Sequence, residues 1–343
     1  MTGIDRRHFL KHTAFAVTTA VVPCTLVEMA AAKTAESFTF AYVSDAHIEH
    51  VEGSRFVRRR DAGILHAIDE INRMAPKPDF VMFGGDLAQY GKGVELDHGA
   101  DLLSRLSPGF RCVMGEHDYY LDLGAHWSTL FGPPYYSFDH KGVHFVVLNS
   151  VLTHDDWTLN RWSAPDERMA AMAAIEGAHS SPFMVGERQR RWLAQDLAKV
   201  SQMMPIVVFS HSPLQKIHKE WNFWTDDAED VQALLAPFDR VSVLYGHVHQ
   251  IQHNRIGNIT FNSMAATAWP WPYPQSHYAA GGSLLPKLTI EMASNGSFHE
   301  QDVTGWQLID VHSGRISARH HFHGSANRAS RTVRGEKEAL ALA

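Results

Sequence analysis

Short apolar runs recur along the chain and amphipathic stretches separate many of them. Phe38–Val43, Phe80–Phe83, Val143–Leu148, Ile206–Phe209 and Val241–Tyr245 are short and rich in Val, Ile, Phe and Tyr, so they predict buried strands. Phe56–Met74 sets Ile64, Leu65, Ile68 and Ile71 at helical spacing, and Gly186–Val200 does the same with Trp192, Leu193 and Leu197. This alternation predicts an α/β fold with helices covering a sheet. The later part is richer in strands: Gln250–Ile256, Ile259–Asn262, Leu288–Met292, Trp306–Val311 and Arg315–His321. Val151–Val185 and Met264–Pro286 are long and irregular. Such segments act as lids or binding loops, or as surface loops fixed by their own aromatics. Met169–Ile175 inside the first is a candidate short helix.

Composition narrows the class. The 343 residues are 45% hydrophobic and 20% charged, which excludes a disordered chain. A formal charge of -6 argues against binding to a nucleic-acid duplex. Asp5-Arg6-Arg7-His8-Phe9-Leu10-Lys11, an apolar stretch from Ala14 to Val27 and Ala30-Ala31-Ala32 together read as a twin-arginine signal over residues 1–32. The expected partner is then the twin-arginine export machinery, and the expected location is periplasmic or extracellular. The stretch is short for a membrane span and no second one follows, so none is expected in the mature form. Pro23 before Cys24 excludes a lipoprotein reading. Removing the signal leaves Cys112 as the sole cysteine, expected on a buried strand and without an intrachain disulfide. One domain is expected over residues 37–323, with 324–343 as a mobile tail.

The chemistry sits where the apolar runs end. They run into Ser44-Asp45-Ala46-His47, Gly84-Gly85-Asp86, Gly115-Glu116-His117-Asp118, Ser210-His211 and Gly246-His247-Val248-His249. Ligands of open α/β sheets bind at the carboxyl ends of strands, and five such endings are hard to obtain from structural histidines. In extended chain, residues two apart face one side, so Asp45 with His47, and His247 with His249, are expected to reach a common site. Carboxylates mixed with imidazoles suit zinc, manganese or iron better than calcium. No thiolate belongs to these motifs, which counts against a closed structural zinc site.

This ordered set resembles the calcineurin-like metallophosphoesterase family, whose blocks run D-x-H, G-D, G-N-H-D/E, H and G-H-x-H. The resemblance extends from Asp45 to His249 and includes Tyr135–Ser150 and the Trp192–Leu197 stretch. It implies two β-sheets packed face to face with helices outside, a four-layer α-β-β-α sandwich. It implies two metal ions, with Asp45, His47 and His249 on the first, Asp86 bridging, and His211 and His247 on the second. It also implies that a small phosphate ester is hydrolysed by hydroxide bridging the metals, with His117 assisting the leaving group. Asp118 could orient His117 or stabilise a turn.

Two positions depart from the family. Its asparagine ligand is Glu116 here, which can hold a metal but, ionised, cannot donate a hydrogen bond. The extra charge favours either an iron–divalent pair or a diester over a dianionic monoester, unless Glu116 points away or is protonated. Three residues after Asp86, where purple acid phosphatases place a tyrosine ligand, stands Gln89, so no purple tyrosinate site is expected. A phosphodiesterase is therefore expected, with a phosphomonoesterase and a non-catalytic metal-binding or partner-binding protein as rivals. Trp269, Trp271 and Tyr273 are a candidate apolar rim for the leaving group. His50, His218, His320, His321 and His323 are weaker candidates.

Overall fold

The computed structural model describes residues 35–51, 55–154, 161–162, 164–173, 182–271, 287–288 and 304–323. The proposed signal (1–32), Tyr273, the remainder of the expected strand Leu288–Met292 and the 324–343 tail lie outside them.

The strands of the two large sheets are β1 Phe38–Val43, β2 Val81–Phe83, β3 Phe110–Cys112, β4 Tyr136–His140, β5 Val143–Val147, β6 Ile206–Ser210, β7 Val241–Tyr245, β8 Gln252–Ile256, β9 Ile259–Ser263, β10 Lys287–Leu288, β11 Gly305–His312 and β12 Arg315–Phe322. They form a five-stranded sheet, β12-β11-β1-β2-β3, and a seven-stranded sheet, β10-β8-β9-β7-β6-β5-β4. In the first sheet β1, β2 and β3 run parallel. In the second, β5, β6, β7 and β9 run parallel. The parallel strands deliver their carboxyl ends to one edge of each sheet.

Strand periodicity explains the layering. In β1, Phe38, Phe40 and Tyr42 face the second sheet and meet Phe145, Phe209 and Leu244. Ala41 and Val43 face the other way, onto Ile64, Ile68 and Ile71 of helix α1 (Arg58–Arg73) and Leu96 and Leu102 of α2 (Gly93–Leu103). The outer face of the second sheet, through Val146, Val208 and Val243, packs on Leu193 of α6 (Glu187–Leu197) and Val231 of α7 (Ala228–Leu235). The expected helix–sheet–sheet–helix sandwich is thus present.

Three helices crowd the edge where the strands end: α3 Glu116–Tyr119, α4 Ala125–Phe131 and α5 Pro165–Ala173. Within the irregular segment, α5 is pinned by the buried Arg168, which donates to the carbonyls of Tyr120 at 2.7 Å and Leu121 at 3.0 Å. Cys112 is free and buried at the end of β3, and burial pushes its thiol well above the usual range, so it is unreactive.

Candidate metal centre

Each predicted ligand follows the end of a strand by one to four residues: Asp45 and His47 after β1, Asp86 after β2, Glu116 after β3, His211 after β6, His247 and His249 after β7. The chain does not continue extended there. Nine non-glycine residues have φ in the left-handed region among those described, and five are Asp45, His47, Asp86, His247 and His249. This costs free energy at each residue and recurs where surrounding structure enforces it. Here the enforcement is visible. Asp45 N–H donates to Gly85 O at 3.0 Å, His47 N–H to Asp86 O at 3.0 Å and Ile48 N–H to Leu87 O at 2.8 Å. The two ligand loops remain laddered beyond the strands. Glycine is required beside them: a Cβ on Gly115 would lie 2.1 Å from Asp86 Oδ1, and one on Gly85, at φ +104°, would lie 2.4 Å from His211 Nδ1.

The seven side chains converge on two adjoining clusters, Asp45–His47–His249 and Asp86–Glu116–His211–His247. In the first, His47 Nε2 and His249 Nε2 stand 3.0 Å apart, and His249 Nε2 is 3.3 Å from Asp45 Oδ1. In the second, His211 Nε2 is 3.0 Å from Glu116 Oε2 and 3.2 Å from Asp86 Oδ2, while His247 Nδ1 is 2.7 Å from Glu116 Oε1. Asp86 Oδ2 also lies 3.6 Å from His47 Nε2, so one oxygen faces both clusters, as a bridging ligand must. The extended-chain expectation is corrected for the final motif. His247 joins the second cluster and His249 the first.

These residues fit metal ions on the structure's own terms. All are buried or nearly so; Asp45 Oδ2 has no hydrogen-bond partner, and His211 Nε2 faces only the carboxylates of Glu116, Asp86 and Asp45. Buried carboxylates and lone pairs left facing one another are costly without a cation between them. The remaining ring nitrogens are fixed by carbonyls: His211 Nδ1 by Gly84 at 2.7 Å, His249 Nδ1 by Trp269 at 2.6 Å and His247 Nε2 by Asn222 at 3.2 Å. Such outer contacts set the tautomer that frees the inner nitrogen for a metal. Burial, with His117 and His249 alongside, pushes His47 well below the usual histidine value, which keeps its ring neutral. Burial opposes ionisation of Glu116, yet His247 and His211 hold its carboxyl well below the usual range. Glu116 therefore points into the centre and is ionised there.

His117 sits beside the first cluster. Its Nδ1 donates to Gln89 O at 2.6 Å and its Nε2 lies 4.0 Å from Asp86 Oδ2. The idea that Asp118 orients this ring is corrected by its contacts. Asp118 Oδ1 accepts from Leu87 N–H at 2.9 Å and Ala88 N–H at 3.0 Å, and Oδ2 from Gly115 N–H at 3.1 Å. It fastens the loop after Asp86 to the loop before Glu116, and the orienting group is the Gln89 carbonyl.

A pocket of about 60 Å³ opens over the clusters, walled in part by Gln89, Met172, Trp221, Asn222, Trp269 and Trp271. The ring of Trp269 lies 4.4 Å from that of His47 and 5.1 Å from that of His249, so Trp269 and Trp271 do form a rim. Met172 of α5 brings the first long segment to the same wall. His50, His218, His320, His321 and His323 are not in this wall; His321 instead stacks on Trp306 at 4.1 Å. Sequence reading misses Arg60, Glu95 and Asn222. Glu95, fully buried, accepts from His50, Tyr90 and Lys92 N–H groups and so fastens the loop carrying Gln89. A lone acid on an amphipathic helix gives no sign of that role. Asn222 shows only the asparagine preference for its left-handed backbone, φ 58°.

With this geometry in hand, comparison with known proteins gives a consistent answer. The signature of the calcineurin-like phosphoesterase family matches residues 38–251, more than half of the chain. The protein belongs to that family and is a hydrolase of phosphoester bonds that works with two metal ions. It is similar to the probable glycerophosphodiester phosphodiesterase GpdQ of Arcobacter nitrofigilis, with 25% identity over 215 residues, covering 61% of this chain and 71% of the relative. Its fold is similar to that of a dimetal phosphatase from Danio rerio, with TM-score 0.53 and 15% identity over 83% of this chain and 96% of the other. It is also similar to that of the purple acid phosphatase PPD1 from yellow lupin seeds, with TM-score 0.55 and 14% identity over 86% of this chain and 53% of the other.

Proposed function

We propose that the protein is an exported phosphodiesterase that works with two metal ions. The observation that carries the diester reading is the charge of the pocket. Three carboxylates, Asp45, Asp86 and Glu116, face the centre, and no lysine or arginine stands in its described wall. Two divalent ions would be neutralised by these three carboxylates and a hydroxide, so the centre would give a dianionic monoester little extra attraction over a diester. The diesterase name of the Arcobacter relative supports the same reading. Export rests on the Arg6-Arg7 pattern and the apolar stretch after it.

Asp45, His47, Asp86, Glu116, His211, His247 and His249 would hold two metal ions, which when bound would polarise phosphate oxygens and lower the pKa of water. Asp86 holds both clusters in register. His117 donates from Nδ1 to Gln89, so the proton it gives to a departing alkoxide is the one on Nε2, and the ring must be imidazolium beforehand. The half-exposed indoles of Trp269 and Trp271 exclude water beside His47 and His249 and give the leaving group an apolar surface.

The test is turnover of bis-p-nitrophenyl phosphate against p-nitrophenyl phosphate by metal-loaded mature protein, with elemental analysis of the same sample. Preference for the diester with two bound metals is expected, and a faster monoester would sink the diester reading.

A further inference from the structure

Gln89 stands three residues after the bridging carboxylate and lines the pocket. Its side chain is held by Arg60, from the first turn of α1, which donates to Gln89 Oε1. The same guanidinium donates to the His47 carbonyl at 2.9 Å, pairs with Glu49 at 3.0 Å and lies 4.8 Å from the Trp269 ring centroid. A guanidinium offers only donors, so the amide oxygen must face it and the amide nitrogen must turn away. That nitrogen has no partner among the described residues, although the backbone N–H and carbonyl of Gln89 are both engaged, with Ile48 and His117. A neutral donor thus stands at the pocket, on the residue that fixes His117. Across the centre Glu116 offers acceptors only, and the inner nitrogens of the other histidines face the clusters.

We propose that the Gln89 amide nitrogen donates a hydrogen bond to a non-bridging phosphate oxygen of the substrate, and that Arg60 is the positioning residue that sets the direction of this amide. The inference rests on the phosphoesterase reading of the pocket and adds a substrate contact to it. Its chemistry suits the site. Charge grows on the non-bridging oxygens as the nucleophile adds, and a preset donor stabilises that charge. A neutral amide does so without drawing a dianion into the pocket.

The experiment compares Gln89→Leu and Gln89→Glu with the wild type, all loaded with metal. The readouts are metal content, kcat/KM on bis-p-nitrophenyl phosphate and affinity for inorganic phosphate by calorimetry. Wild-type failure on the diester would count against the diesterase reading alone, because phosphate affinity still reports on Gln89. Both variants are expected to keep two metals, to lose roughly 10- to 100-fold in kcat/KM and to bind phosphate roughly 10-fold more weakly. Should the leucine variant fail to fold or load, the nearly isosteric glutamate, which keeps the Arg60 contact, decides. Wild-type kcat/KM and phosphate affinity in a variant with two metals would overturn the proposal. Replacing Gln89 in an Arg60→Met background should cost less than replacing it in the wild type. An equal cost would remove Arg60 from the positioning role.

Discussion

The carboxylate of Glu116 approaches His211, with Oε2 3.0 Å from Nε2, while its other oxygen lies 2.7 Å from His247 Nδ1. The residue is therefore set as a ligand of the second cluster, and its negative charge is delivered to the centre itself. Glu116→Asn removes that charge and keeps a carbonyl oxygen for the metal. The ratio of p-nitrophenyl phosphate to bis-p-nitrophenyl phosphate turnover should rise by roughly tenfold, the scale of a single-charge change near a pocket partly open to solvent. An unchanged ratio would mean that Glu116 does not set substrate charge.

His117 has one nitrogen committed to the Gln89 carbonyl at 2.6 Å, so it can serve the leaving group through Nε2 alone. His117→Ala should keep both metals and lower kcat by roughly 10²–10⁴-fold on an alkyl phosphodiester. The loss should be much smaller on a p-nitrophenyl ester, whose phenolate departs without a proton. Equal losses on the two esters, measured side by side, would assign His117 to charge stabilisation instead of proton transfer.

The sandwich is legible in the chain because its signal is periodic. Phe38, Phe40 and Tyr42 alternate with outward residues, and Ile64, Ile68 and Ile71 repeat at helical spacing, each set buried against a different layer. The ligands are legible for a related reason, since strand ends are where polar residues can gather without breaking a core. Their partition is legible only through the family resemblance: strand periodicity alone sends His247 and His249 to one place, whereas they join different clusters. Gln89 is less legible still. It carries no motif, and its direction is decided by Arg60, 29 residues earlier in the chain.

Asp118 holds three buried N–H groups from two loops, those of Leu87, Ala88 and Gly115. Asp118→Ala leaves all three without a partner, at ~1–3 kcal/mol for a buried unsatisfied group. A loss of at least ~2 kcal/mol in unfolding free energy is expected, with weakened metal binding, because Gly115 and Leu87 flank the ligands Glu116 and Asp86. Asp118→Asn, which keeps one acceptor oxygen, should fall between. Denaturant unfolding of both variants decides it, and wild-type stability in the alanine variant would show that the two loops hold together without this carboxylate.

Metal binding at this centre should also be visible as a release of protons. Burial works against a charge on His211, but Asp86 and Glu116 facing its Nε2 prevail and raise its pKa well above the usual histidine value. Without metal, then, a proton occupies Nε2 at neutral pH and takes the place of a cation between the two carboxylates. A metal ion needs that lone pair, so it must expel the proton. The sign follows directly: below the raised pKa of His211 metal affinity climbs with pH, and above it this contribution vanishes. Calorimetric titration of the metal-free protein in buffers of different ionisation enthalpy measures the proton count. A release of about one proton at neutral pH is expected from His211, and His211→Ala should abolish that part along with the second metal. Binding of two metals with no proton released would show that the carboxylates stand unprotected in the metal-free protein, and would remove the proton from its place between Asp86 and Glu116.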